Sequence, residues 1–237
     1  MPGRAGLIVP APPRTDLAWV FPGQGSQEVG MGRDVYDASP AARAVFRRAD
    51  DVLDMPLSRL CFEGPEEELR QTVNAQPAIV TVSIALLEAA RERDHELVRG
   101  RPRFVAGHSL GEYTALIAAG ALSFEDGLLL VRERGRLMQE AGERNPGTMA
   151  AIMGLDEGVV EALCRESGAE ICNLNGAGQI VIGGRRPAVL RAMDLARAHG
   201  AVKVTELNVS GAFHSSLMQP AVDGMRAAVS RVVFREP

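Results

Sequence analysis

The stretch Arg103-Phe104-Val105-Ala106-Gly107-His108-Ser109-Leu110-Gly111-Glu112-Tyr113 decides the fold. A short apolar run of strand type passes without a spacer into Gly-x-Ser-x-Gly, and a helical pattern follows to about Ala119. A serine between strand and helix needs a sharp turn, and the turn needs residues without bulk on either side, here Gly107 and Gly111. Such a turn lifts the Ser109 hydroxyl clear of the backbone. The helix behind it aims N–H groups at an oxyanion developing beside that hydroxyl. The pentapeptide alone also fits a serine N-cap in a glycine-rich turn. Its position between strand and helix favours a nucleophile elbow and an α/β domain with a parallel sheet core.

Working upstream, Leu17 to Phe21 reads as a buried strand ended by Pro22-Gly23. Asp37 to Asp54 is helical, with Ser39 as N-cap and Pro40 in the first turn. Pro65 opens a short acidic helix, and Pro77 to Arg91 is a long apolar one. Residues 1–16 hold Pro10, Pro12 and Pro13 and read as a disordered tail. Downstream, Ser123 to Ala141 is a helix, and the texture changes near Gly147. From there the pattern is strand (Thr148 to Met153), helix (Asp156 to Ser167, Asp-capped) and strand (Glu170 to Asn173). Strand (Gln179 to Gly183), helix (Pro187 to His199) and strand (Val202 to Leu207) complete it, with a hairpin signal at Asn175-Gly176-Ala177-Gly178. The order βαββαβ is that of a ferredoxin-like module. The expected organisation is a large α/β domain of residues 17–145 and 208–237 with a small subdomain, 146–207, inserted into it.

Composition removes several classes of function. The charge balance is 26 − 30 = −4, so no basic excess exists to neutralise phosphates and nucleic acid is not an expected partner. Three cysteines, with no C-x-x-C pair, exclude a disulfide scaffold and favour a reducing, cytoplasmic location. Thr72 to Leu87 is interrupted by Asn74, Gln76 and Pro77 and falls short of the roughly 18–20 apolar residues of a membrane span. No metal-ligand spacing is present, and no metal is expected.

A nucleophilic serine needs a base, and the chain offers four histidines. His95 lies among charges, His199 sits before Gly200 at a helix end, and His108 is locked beside the nucleophile. His214 remains, in Ser210-Gly-Ala-Phe-His-Ser-Ser216, a loop entering a helix whose N-terminus would keep the imidazole neutral. The alternative is a plain loop histidine beside two serines. Phe21-Pro-Gly-Gln-Gly-Ser-Gln27 follows the first strand but lacks the Lys-Ser/Thr of a phosphate loop and the third glycine of a dinucleotide fingerprint. It reads better as an oxyanion loop in which Gln24 offers a donor. On the Ser123–Ala141 helix, Arg134 shares a face with Leu130, Leu137, Met138 and Ala141, while Arg132 and Arg136 fall on the opposite face. A guanidinium in an apolar stripe needs either a buried acid or a pocket that receives an anionic ligand, and a carboxylate would suit it in bidentate fashion.

Taken together, these blocks closely resemble the malonyl-CoA:acyl carrier protein transacylase family and the acyltransferase domains of polyketide synthases. The matching segments are Phe21 to Gln27, Gln76-Pro77, Gly107 to Tyr113, Arg134 to Glu140, Asn173 to Gly183 and Val209 to Met218. The resemblance implies a large α/β-hydrolase-like domain and a two-step reaction. Ser109, deprotonated by His214, takes a malonyl group from coenzyme A and passes it to the phosphopantetheine thiol of acyl carrier protein. Backbone donors of Gln24 and Leu110 would hold the oxyanion. Arg134 would pair with the free malonyl carboxylate, while Gln76, Phe213 and Met138 would line the pocket. Coenzyme A enters as a substrate thioester, and no further cofactor is implied. A monomer or a part of a larger synthase is expected. Family members continue past the position of Pro237, so a C-terminally truncated chain is expected, lacking the carbonyl that orients the catalytic histidine.

Two rivals stand beside this reading. An α/β-hydrolase esterase or thioesterase shares Gly-x-Ser-x-Gly but expects a strand-end acid between nucleophile and histidine. Asp126 and Asp156 lie there on predicted helices instead. A truncated, non-catalytic domain that only binds carrier protein is the other.

Overall fold

The structure is a computed structural model that describes residues 14–95, 98, 100–176 and 178–237. In its first half come β1 (Arg14–Phe21), α1 (Arg33–Ala38), α2 (Pro40–Leu53), α3 (Leu57–Glu63), α4 (Glu66–Arg70), α5 (Thr72–Glu92), β2 (Pro102–Gly107), α6 (Gly111–Ala118) and α7 (Phe124–Arg144). Then follow β3 (Thr148–Met153), α8 (Glu157–Ser167), β4 (Glu170–Leu174), β5 (Gln179–Gly184), α9 (Arg186–Ala198), β6 (Lys203–Glu206), a 3₁₀ turn (Ser216–Met218) and α10 (Gln219–Val229). The chain divides into two compact units: Met1–Arg70 with Asn74–Val131 and Val233–Pro237, and Gln71–Val73 with Arg132–Val232.

In the first unit β1 and β2 pair in parallel, Ala18 opposite Phe104 and Phe21 opposite Gly107. β1 begins at Arg14, so the expected disordered tail does not reach residue 16; its part up to residue 13 lies outside the described residues. Helices supply most of this unit's core. Phe46, Leu57, Leu69, Val80, Leu110, Leu128 and Val131 are buried in one cluster, with Phe21, Leu87 and Ala115 in a smaller one. Ser39 caps α2 as expected, its hydroxyl accepting from the Ala42 N–H at 3.1 Å, and Pro40 occupies the first turn.

α5 departs from expectation. It starts at Thr72 rather than Pro77, and Pro77 lies inside it. A proline in the second turn removes one backbone bond, but it sits among Ala75, Gln76, Ala78 and Val80, all fully buried, so packing overrides the local breaker. The longer helix also corrects the membrane estimate. Its 21 residues are long and apolar enough to cross a bilayer by length and composition, yet 72% of the apolar window is buried, as in a central packing helix.

The second unit holds a four-stranded antiparallel sheet in the order β4-β5-β3-β6. Successive side chains of a strand point to opposite faces. Ala150, Ile152, Ile180 and Ile182 therefore pack on Val160, Leu163, Val189 and Met193 of α8 and α9. Met149, Ala151 and Val181 face the other way, into a cluster with Met138, Ala141, Phe213, Met218 and Ala221. With both faces covered, β3 and β5 read as continuous apolar runs rather than alternating ones. The β4–β5 hairpin forms as its turn residues predict, Asn175 N–H donating to Gln179 O at 2.9 Å; Ala177 lies outside the described residues. Asp156 holds the N-cap position of α8 but makes no side-chain capping bond, contrary to expectation.

Candidate active site

Ser109 stands between the last residue of β2 and the start of α6 with φ +52°, in the left-handed region that non-glycine residues rarely adopt. The turn is closed by Gly111 N–H donating to His108 O at 2.9 Å and Glu112 N–H to Ser109 O at 3.2 Å. It is tied to β1 by His108 N–H donating to Phe21 O at 3.1 Å. The glycines are sterically compelled. A Cβ on Gly107 would lie 1.9 Å from the Gly111 carbonyl carbon, and one on Gly111 would lie 2.3 Å from Phe21 O. Leu110 points into the core, fully buried, and anchors the turn from below. The hydroxyl of Ser109 is thus held at the N-terminal end of an eight-residue helix, where the unpaired N–H groups and the helix dipole favour negative charge.

The Gln24 loop packs directly on this turn. A Cβ on Gly23 would sit 2.6 Å from His108 O, which measures how closely the two backbones approach. Ser26 Oγ donates to Gly23 O at 2.8 Å and Gly25 N–H donates to Gln27 Oε1 at 2.8 Å, so the loop is braced by its own side chains. Gln24 is half-buried beside it. Gln76 belongs to the same unit and is fully buried on α5.

Arg134, Met138, Phe213 and His214 all belong to the second unit. Arg134 is half-buried on α7 in the stripe with Leu130, Leu137, Met138 and Ala141. Arg136 is exposed and pairs with Glu133 at 2.6 Å and with Glu140. Arg132, one turn before Arg136, is half-buried, and desolvation pulls its guanidinium below the usual arginine range. Met138 and Phe213 are both buried in the apolar cluster behind β3 and β5.

His214 is exposed and, like Ser109, has a positive φ, +62°. The segment around it is held from several sides. Thr72 Oγ1 and Ser210 Oγ lie 3.1 Å apart, Ser215 Oγ donates to Ala212 O at 2.6 Å, and Asn145 Nδ2 donates to Leu217 O at 3.3 Å. Glu170 accepts from both the N–H and the hydroxyl of Ser216, at 2.9 and 2.6 Å. The sequence reading missed Thr72, Asn145 and Glu170; they stand 138, 72 and 46 residues from their partners, and no local pattern marks them. His199 caps the end of α9, its Nδ1 2.9 Å from Leu195 O, as its place before Gly200 predicts. Among the described residues no group of three or more His, Cys, Asp or Glu side chains forms a metal-binding cluster.

One unit therefore carries a strained serine at a helix N-terminus with the Gly23–Gln27 loop packed against it. The other carries an exposed histidine and an arginine on a mostly apolar stripe. Comparison with known proteins gives these features a context. The acyl transferase domain family matches residues 18–237. The malonyl CoA-acyl carrier protein transacylase of Bacillus subtilis is 48% identical over 215 residues, 89% of this chain and 66% of that protein. This chain thus spans just under two thirds of that relative's length. The acyl-carrier-protein S-malonyltransferase of Bartonella henselae superposes with a TM-score of 0.85 at 45% identity, over 92% of this chain and 71% of that one. A malonyl-transacylase solved in complex with its type II PKS acyl-carrier protein gives 0.88 at 40% identity, over 93% and 72%. These structures share the mixed α/β architecture with parallel and antiparallel sheets.

Proposed function

Because the chain belongs to the acyl transferase domain family, we propose that it moves a malonyl group from coenzyme A to the phosphopantetheine thiol of an acyl carrier protein. The group rests between the two as an ester on Ser109. The single observation that carries this reading is the turn at Ser109, with its φ of +52° and the two glycines that admit no Cβ.

In the first half-reaction the His214 imidazole takes the Ser109 proton as Oγ attacks the thioester carbonyl. The oxyanion is met by the backbone N–H groups of Gln24 and Leu110. The C–S bond breaks, the imidazolium protonates the departing thiolate, and coenzyme A leaves. In the second half-reaction the carrier thiol gives its proton to His214 and attacks the ester; Ser109 Oγ departs and recovers the proton. Arg134 pairs with the distal malonyl carboxylate, which accounts for a guanidinium on an apolar stripe. Gln76, Phe213 and Met138 shape the acyl pocket. Bulk at Phe213 disfavours an α-methyl branch, by about 1–3 kcal/mol for one methyl group. No cofactor beyond the coenzyme A thioester enters the scheme. A cytoplasmic enzyme, acting alone or within a larger synthase, is the setting that its free cysteines fit.

We read residues 146–207 as a ferredoxin-like insert within an α/β-hydrolase-like domain of 17–145 and 208–237. The strand order β4-β5-β3-β6 and the elbow after β2 support that description.

Transfer of labelled malonate from malonyl-CoA to holo-acyl carrier protein tests the function. Transfer is expected, with little free malonate. Rapid malonate release without transfer would indicate a hydrolase, and neither product from folded protein would indicate a binding domain. In the same assay Arg134→Ala should lose malonyl transfer by about 10²-fold or more while gaining relative preference for acetyl-CoA. Unchanged malonyl preference would remove the carboxylate role.

A further inference from the structure

We propose that Glu170 is a positioning residue for His214, acting through a bidentate grip on Ser216, an inference that rests on His214 being the base. His214 has φ +62°. A non-glycine residue stays in that region only where its surroundings over-determine it. On the N-terminal side the constraint is Phe213, buried in the cluster with Met138 and Met218. On the C-terminal side Ser215 folds back, its hydroxyl donating to Ala212 O at 2.6 Å, which closes a tight loop around the histidine. Beyond that loop the chain must be held from outside, and Glu170 on β4 does so. Its two carboxylate oxygens accept separately from the backbone N–H and the hydroxyl of Ser216, at 2.9 and 2.6 Å.

Two neutral contacts also hold this segment, Thr72 with Ser210 at 3.1 Å and Asn145 Nδ2 to Leu217 O at 3.3 Å. The Glu170 bonds carry a full negative charge, and charge-assisted bonds are roughly twice as strong as neutral ones. The strand that carries Glu170 is paired to β5 through a register that includes Glu170 opposite Gly183, so the carboxylate has a fixed base. With the grip removed, His214 can relax toward negative φ, which swings the imidazole through a large arc. A misplacement of about 1 Å in a reacting group costs about 10²-fold in rate.

The test is a set of variants read by steady-state malonyl transfer, with thermal melting as the check on folding. Glu170→Ala should lower kcat by at least about tenfold and leave KM for malonyl-CoA within about twofold. Ser216→Ala, which removes one of the two bonds, should give a smaller loss in the same parameter. In a His214→Ala background, Glu170→Ala should change the residual rate by less than about twofold, since its effect passes through the missing imidazole. Full kcat in Glu170→Ala overturns the proposal, as does a further kcat loss of tenfold in the His214→Ala background. If Glu170→Ala does not fold, Glu170→Gln and Ser216→Ala carry the same comparison, and full kcat in both overturns it. His214→Ala with wild-type activity would remove the base reading itself, an outcome distinct from a failure of Glu170 alone.

Discussion

Ser109 and His214 share a backbone property: both are non-glycine residues at positive φ, +52° and +62°. At Ser109 the conformation follows from the short path between β2 and α6, and Gly107 and Gly111 leave no room for a wider turn. The serine side chain thus persists where glycine would be easier. Ser109→Gly should therefore be more stable than Ser109→Ala by about 1 kcal/mol, seen as a higher urea midpoint, although both lose acyl loading. Equal stabilities would mean that the turn stores no strain. Cys61 shows a different residue-scale effect. Burial first, and the nearby Asp50 charge second, push its thiol from 9.0 up to about 12. The folded protein keeps a proton that the unfolded chain gives up above pH 9, so stability present below that pH is lost as pH rises toward about 12. Urea midpoints measured from pH 8 to 11 should fall, and Cys61→Ala should flatten the fall. An unchanged slope would show that other groups govern it.

At the scale of elements, what was legible depended on whether local chemistry or packing decides. The hairpin around Asn175-Gly176 was legible because its turn residues impose their own geometry. The Ser39 cap and the elbow were legible for the same reason. The start of α5 was not: Pro77 argues locally for a helix start, whereas the surrounding buried residues keep the helix continuous from Thr72. β3 and β5 were found as strands, but the sequence does not reveal what covers their second face. Ile182, fully buried between the sheet and α8 and α9, should cost about 2–5 kcal/mol as Ile182→Ala in chemical denaturation. Leu174 on the neighbouring strand is 56% exposed, and Leu174→Ala should stay within about 0.5 kcal/mol. Similar losses at the two sites would contradict the layered packing.

Over the whole molecule, the residues of the proposed reaction were more legible than their supports. Ser109, Gln24, Arg134 and His214, the residues of the proposed reaction, sit in segments that a sequence pattern marks. Glu170, Asn145 and Thr72 are set only by where the fold brings them, so they carry no signature. The most direct measurement is intact-mass analysis of the protein after brief exposure to malonyl-CoA, followed by addition of holo-acyl carrier protein. One malonyl group per chain is predicted, mapped to the peptide containing Ser109, absent from Ser109→Ala and discharged onto the carrier. Folded wild-type protein that takes up no malonyl group, or a Ser109→Ala variant that takes up as much, would contradict the account.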